Sequence, residues 1–128
     1  MNFSRAKGKR GEREWRDELR KAGWTGARRG QQFAGSPDSP DVVCDELNVF
    51  HFEVKFTTRP KPRAFLAQAS QDAGAAKVPV VAWRGNGEPF SVLMRAADFI
   101  SLVKCADLKA FDASRRESGA APVPPCFP

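Results

Sequence analysis

Asp41 stands just before a short apolar run, and Glu53 and Lys55 follow it by twelve and fourteen residues. Two carboxylates offer the oxygen ligands that a hard cation such as Mg²⁺ takes. A lysine beside them can neutralise charge building on a phosphate and can orient or deprotonate an attacking water. The backbone carbonyl of Val54, between the two charges, is a further candidate ligand, and Glu12 is a candidate third carboxylate. A bare Glu-x-Lys is otherwise a surface ion pair on a half-exposed strand. What decides between these is whether the chain brings Asp41 and Glu12 to it.

The elements that would do so can be read from periodicity. "KRGEREWRDELRKA", residues 9–22, predicts a helix with Trp15, Leu19 and Ala22 on one stripe and Gly23 as its stop. Glu12, three residues before Trp15, falls on the inward side, while Glu14 and Asp17 lie further round, as partners for arginines. "WTGARRGQQF", "DVVCDE" and "NVFHFEVKF" predict three strands, the last two joined by a tight turn around residues 45–48. In the third, Phe50, Phe52, Val54 and Phe56 share one face, and Val49, His51, Glu53 and Lys55 the other. Antiparallel pairing then carries Asp41 to Glu53 and Lys55.

"AFLAQASQDAGAAK" predicts a helix with Phe65, Gln68 and Asp72 towards one side; "VPVVAWR" predicts a buried central strand. "PFSVLMR" predicts another strand, and "AADFISLVKC" a helix. The order α-β-β-β-α-β-β-α implies an α/β class with a mixed central sheet flanked by helices. Residues 1–8 read as a flexible basic arm, 9–112 as a single domain and 113–128 as a proline-rich, unstructured tail. Trp15, Trp24 and Trp83 read as core or interface residues. His51 is the single histidine; on a strand such a residue is structural more often than a general base.

The net charge of +6 is concentrated. Residues 5–29 hold ten Lys and Arg against four Asp and Glu, which accounts for the whole excess. A basic segment of this kind suits a polyanion, because basic groups displace counterions from phosphates. Lys7, Lys9, Arg10, Arg13, Arg28 and Arg29 are the candidates for contacting its phosphates; a solvated helix face with i,i+4 charge pairs is the alternative. Cys44, Cys105 and Cys126 form no CxxC pattern, and one histidine excludes a standard Cys/His zinc site. Free thiols in a reducing cytosol are expected. Apolar runs such as "KVPVVAW" are too short to span a bilayer, and no secretory pattern opens the chain, so a soluble cytoplasmic protein is expected.

"SPDV" followed by "FEVKF" resembles the PD-(D/E)xK nucleases of the restriction-endonuclease-like fold. "KGKRGEREWRDELRKAGW" is similar to the start of the archaeal-type Holliday junction resolvases and their phage relatives, and the resemblance spans about residues 5 to 104. It implies a Mg²⁺-dependent endonuclease, with Mn²⁺ able to substitute, that makes paired incisions in four-way DNA junctions and leaves 5′-phosphate and 3′-hydroxyl ends. It implies metal ligation by Asp41 and Glu53 with Glu12 completing the acidic set, Lys55 as the lysine assisting the water, Gln68 supporting the site and Arg29 on DNA. Gln71 is the alternative to Gln68. Asp38 is the alternative to Asp41, which is favoured because the β-prone "VVC" follows it; Ser36 or Ser39 would fill the serine position of the preceding loop. Paired cuts imply a C₂ homodimer, with Phe50, Phe52 and Phe56 as a candidate apolar interface. Two other readings stay open: a related endonuclease nicking or cutting other branched or duplex DNA, and a non-catalytic DNA-binding module on the same fold.

Overall fold

In the computed structural model, which describes residues 3–30 (side chains from Lys7) and 40–121, the first element is a helix, α1 (Phe3–Lys21). It is rich in strong helix formers, and Arg20 and Lys21 in its last turn suit the negative end of the helix dipole. Gly23, at φ 110°, donates its N–H to the Arg20 carbonyl (3.0 Å), and Trp24 N–H reaches the Leu19 carbonyl (2.9 Å). This paired closure needs a left-handed residue, which glycine supplies without strain. The helix starts at Phe3 rather than Lys9, so residues 3–8 are helical rather than a flexible arm. Their Arg, Ala and Lys content reads as charge in the sequence but also carries helix propensity.

Five strands follow: β1 (Arg28–Arg29), β2 (Val42–Val43), β3 (Phe50–Phe56), β4 (Val78–Arg84) and β5 (Ser91–Leu93), ordered β1-β2-β3-β4-β5 in one sheet. Neighbours are antiparallel except β3 and β4, which are parallel and joined through helix α2 (Pro62–Ala73), the crossover that parallel pairing requires. The chain is therefore mixed α/β, with a five-stranded mixed sheet flanked by helices. Between β2 and β3 runs a 3₁₀ turn, Asp45–Leu47, in place of the expected tight hairpin turn. The extra length lets Leu47 pack against the core.

The two faces of β3 serve different layers. Phe52 and Val54, with Val80 and Ala82 beside them on β4, join Leu19, Ala27, Val42 and Cys44 in the core, and Trp15, Trp24 and Phe50 pack against it. Gly11 of α1 lies so close to β3 that an added Cβ would come within 3.2 Å of Phe56 and 3.3 Å of Val54. The phenylalanine face is thus covered within the chain: Phe52 meets Trp15 edge-on at 5.8 Å, and Phe56 lies under the Arg10 and Arg84 guanidinium groups. Phe52 is buried inside the chain, α1 lies over the Val54–Phe56 end of this face, and Phe50 and Phe56 stay half-buried. The other face, with His51, Glu53 and Lys55, lies on the α2 side, where Ala69 and Ala73 are buried. Trp83 donates its indole N–H to the Thr57 carbonyl (3.1 Å).

A second compact unit begins at Ala96. It contains α3 (Ala96–Cys105) and α4 (Leu108–Glu117), the latter extending into the stretch expected to be unstructured. Asp107 caps α4 by accepting the Ala110 N–H, and Asp112 pairs with Arg115 and Arg116, both at 3.1 Å. These local bonds stabilise a helix that its polar composition conceals. Cys44 and Cys105 are free thiols; Cys126 lies outside the described residues. Among the described residues no helix is long and apolar enough to cross a membrane.

Leu19→Ala should destabilise the first unit by about 2–4 kcal/mol through lost burial and the cavity left behind. Leu108→Ala, at a side chain 54% exposed, should cost under about 1 kcal/mol. Urea denaturation of both variants checks the contrast, and equal losses would contradict the placement of the core.

Candidate functional site

The pairing of β2 with β3 sets Val42 opposite Phe52, and Asp41 just outside β2 donates its N–H to the Phe52 carbonyl (2.9 Å). Its carboxylate turns onto β3, where Oδ2 accepts the Val54 N–H at 2.8 Å. On the other side, Gly30 N–H donates to the Asp41 carbonyl (2.9 Å). A Cβ at Gly30 would run into the Pro40 carbonyl, so this close approach needs a glycine.

The resulting electrostatics are strained. The Asp41 carboxyl is pushed up from 3.8 to about 7, first by burial and then by the negative charge of Glu53. The Val54 N–H opposes the shift, Glu12 adds to it, and Lys55 opposes it. Glu53, Glu12 and Lys55 therefore all act on the Asp41 carboxyl.

Each partner is also held elsewhere. Glu12, 8% exposed, takes both Nε and Nη2 of Arg29 on one oxygen, at 2.9 and 2.8 Å. Arg29, expected on DNA, thus neutralises a buried carboxylate. Lys55 Nζ donates to Gln68 Oε1 at 3.0 Å and lies 5.5 Å from the Phe65 ring centre. Gln71, the alternative, is exposed one turn on. Glu53, 5% exposed, has Oε1 at 3.2 Å from Nε2 of His51, itself 2% exposed.

His51, Glu53 and Asp72 each place a ligand atom within 4.8 Å of the other two, a possible metal-binding cluster. Among the described residues Glu12, Asp41 and Glu53 are not drawn into a group that tight. Glu12 is tied to Arg29, Asp41 to the Val54 N–H, and Glu53 leans to His51. Asp72 and His51 were not among the expected site residues, although the signal was there: Asp72 follows Gln68 by four residues on a helix, and His51 precedes Glu53 by two on a strand. Asp38, Ser36 and Ser39 lie outside the described residues.

The basic set is mostly on the surface. Lys7, Lys9, Arg10, Arg13 and Arg28 are exposed, with Arg10 paired to Glu14 (2.8 Å) and Arg28 close to Asp45 (3.5 Å). Lys7 and Arg10, with Phe56, Thr57, Thr58 and Asn86, line a cavity of about 220 Å³. Comparison with family models, curated proteins and solved structures returned no match.

Because Asp41 binds its proton more tightly in the folded chain than the ordinary 3.8 allows, its contribution to stability is complete below about pH 4 and is lost as pH rises through about 7. Asp41→Asn keeps an acceptor for Val54 N–H and cannot ionise. Without divalent cations, its stability relative to wild type should climb by about 2–4 kcal/mol between about pH 4 and pH 8. Denaturation curves across that range test it; a constant difference would mean that Asp41 is not protonated at neutral pH.

Proposed function

We propose that this chain is a divalent-cation-dependent DNA endonuclease of the PD-(D/E)xK kind, on a restriction-endonuclease-like sheet, and that it acts on branched DNA, four-way Holliday junctions first. The observation that carries the reading is the Asp41 carboxyl seated on the Val54 N–H beside Glu53, with Lys55 held by Gln68 on the same strand. Carboxylates crowded so that Glu53 and Glu12 raise the proton affinity of Asp41 are a donor set that a hard cation would relieve, so the residues fit Mg²⁺. Asp41 and Glu53 would hold it, with Glu12 and the Val54 carbonyl as further ligands. When bound, such a cation makes water a better nucleophile and offsets charge on the phosphate.

The chain's own groups do the rest. Gln68 fixes the Lys55 ammonium, which orients the attacking water and meets the negative charge that builds on the phosphate. Arg29 pairs with Glu12 at its buried position, placing Nε and Nη2 on one carboxylate oxygen. Lys7, Lys9, Arg10, Arg13 and Arg28 grip phosphates without reading bases. Hydrolysis leaves 5′-phosphate and 3′-hydroxyl ends, and a C₂ homodimer would present two such sites to a symmetric junction, in the cytoplasm of a bacterial or phage-infected cell.

In Mg²⁺, a four-way junction should be cut in both strands while a linear duplex of the same sequence stays largely whole. Equal cutting of the duplex would assign the chain to another endonuclease of this kind, and binding without any cutting to a non-catalytic DNA-binding module. Glu53→Gln and Lys55→Ala should each lower cutting by about 10²–10⁴-fold, with junction affinity in Ca²⁺ kept within about 3-fold. Retained cutting in either variant would remove that residue from the site.

A further inference from the structure

We propose that His51 is the positioning residue for Glu53: its imidazole holds one carboxylate oxygen so that the other is presented to a divalent cation. This inference rests on the reading of Glu53 as a cation ligand.

Alternation along β3 puts His51 and Glu53 on one face, two residues apart. The parallel register sets Pro79 beside His51 and Val81 beside Glu53, both of them fully buried apolar neighbours. From α2 the same region receives the buried Ala69 and Ala73, together with Asp72. In this dry setting a carboxylate 5% exposed needs a partner, and the nearest donor is His51 Nε2 at 3.2 Å from Oε1. With its proton on Nε2 the ring donates to Oε1 and leaves Oε2 without that bond. Bonds of this kind are stronger at low dielectric, and the 2% exposure of His51 allows the ring little freedom to swing away. An Asp72 carboxylate oxygen lies within 4.8 Å of a ligand atom of each of the two. Side chains that orient a metal ligand in this way set metal affinity without touching the metal.

The test uses Mn²⁺ binding to the full chain by calorimetry, without DNA, in wild type, His51→Gln and His51→Phe. Glutamine retains an N–H donor near the Nε2 position but no imidazole ligand; phenylalanine fills the slot and donates nothing. Expected are affinities within about 3-fold of wild type for His51→Gln, and a loss of about 10-fold or more for His51→Phe. Unchanged affinity in His51→Phe overturns the proposal. A loss in His51→Gln as large as that in His51→Phe also overturns it, because the ring would then be a ligand itself.

A second measurement needs no variant. His51 is the single histidine, so its ring ¹⁵N signals are unambiguous. Nε2 should carry a proton before and after Mg²⁺ is added, and loss of that proton on addition contradicts the assignment. Mn²⁺ binding with the expected variant pattern but no DNA cutting ends the nuclease reading and leaves this one standing. Cutting by wild type, with the affinity of His51→Phe unchanged, does the reverse; no Mn²⁺ binding by wild type removes both.

Discussion

The hydrogen bond from the Val54 N–H to the Asp41 carboxylate ties one strand's charged terminus to its neighbour's backbone. Around it the antiparallel register of β2 and β3 places Val42 opposite Phe52, both in the core. A slip of one residue would turn Phe52 and Val54 out from under α1 and bring Glu53 in, exchanging apolar contacts for a buried charge. Burial of the phenylalanine face and delivery of Asp41 to Glu53 are therefore one structural decision. Gly30 completes it, because any side chain there would collide with the Pro40 carbonyl that leads into Asp41.

This arrangement concentrates negative charge where water is scarce. Glu12 and Glu53 both raise the proton affinity of Asp41, and the compensating groups are few: the Val54 N–H, Lys55, and Arg29 on Glu12. Each carboxylate has found a different partner: Glu12 has Arg29, Asp41 the Val54 N–H, and Glu53 His51. The chain thus folds with its acidic groups close enough to interact yet separately anchored. Such a site loses stability for the sake of charge density, a usual relation between binding sites and the folds that hold them.

Much of this was legible in the sequence because burial leaves a period. Trp15 and Leu19 marked the inward stripe of α1, Gly23 its end, and the alternation in "NVFHFEVKF" separated the two faces of β3. The bounds of β4 and α3 were read as they stand. What was missed lacks a hydrophobic signal. Residues 3–8 and the last turns of α4 are helices without an apolar stripe, and composition alone cannot tell those from a solvated arm or tail. The Phe50, Phe52 and Phe56 face was identified as apolar, but a sequence does not say whether its own helix or another copy covers it. Arg29 was expected on DNA from the resemblance, and its pairing with Glu12, seventeen residues away, has no local spacing to reveal it.

The placement of Gln68 and Asp72 has a geometric origin that spacing alone contains. A helix crossing between parallel strands runs back along the sheet, so later residues of α2 meet earlier residues of β3. Four residues of helix advance about 6 Å, and two residues of strand about 6.6 Å. Gln68 reaches Lys55, and the next turn of the same helix face brings Asp72 to Glu53 and His51. The match of one helical turn to one strand repeat lets a single helix face serve two polar groups of β3 at once. Between those contacts Ala69, buried and small, lets α2 approach closely enough for both to form.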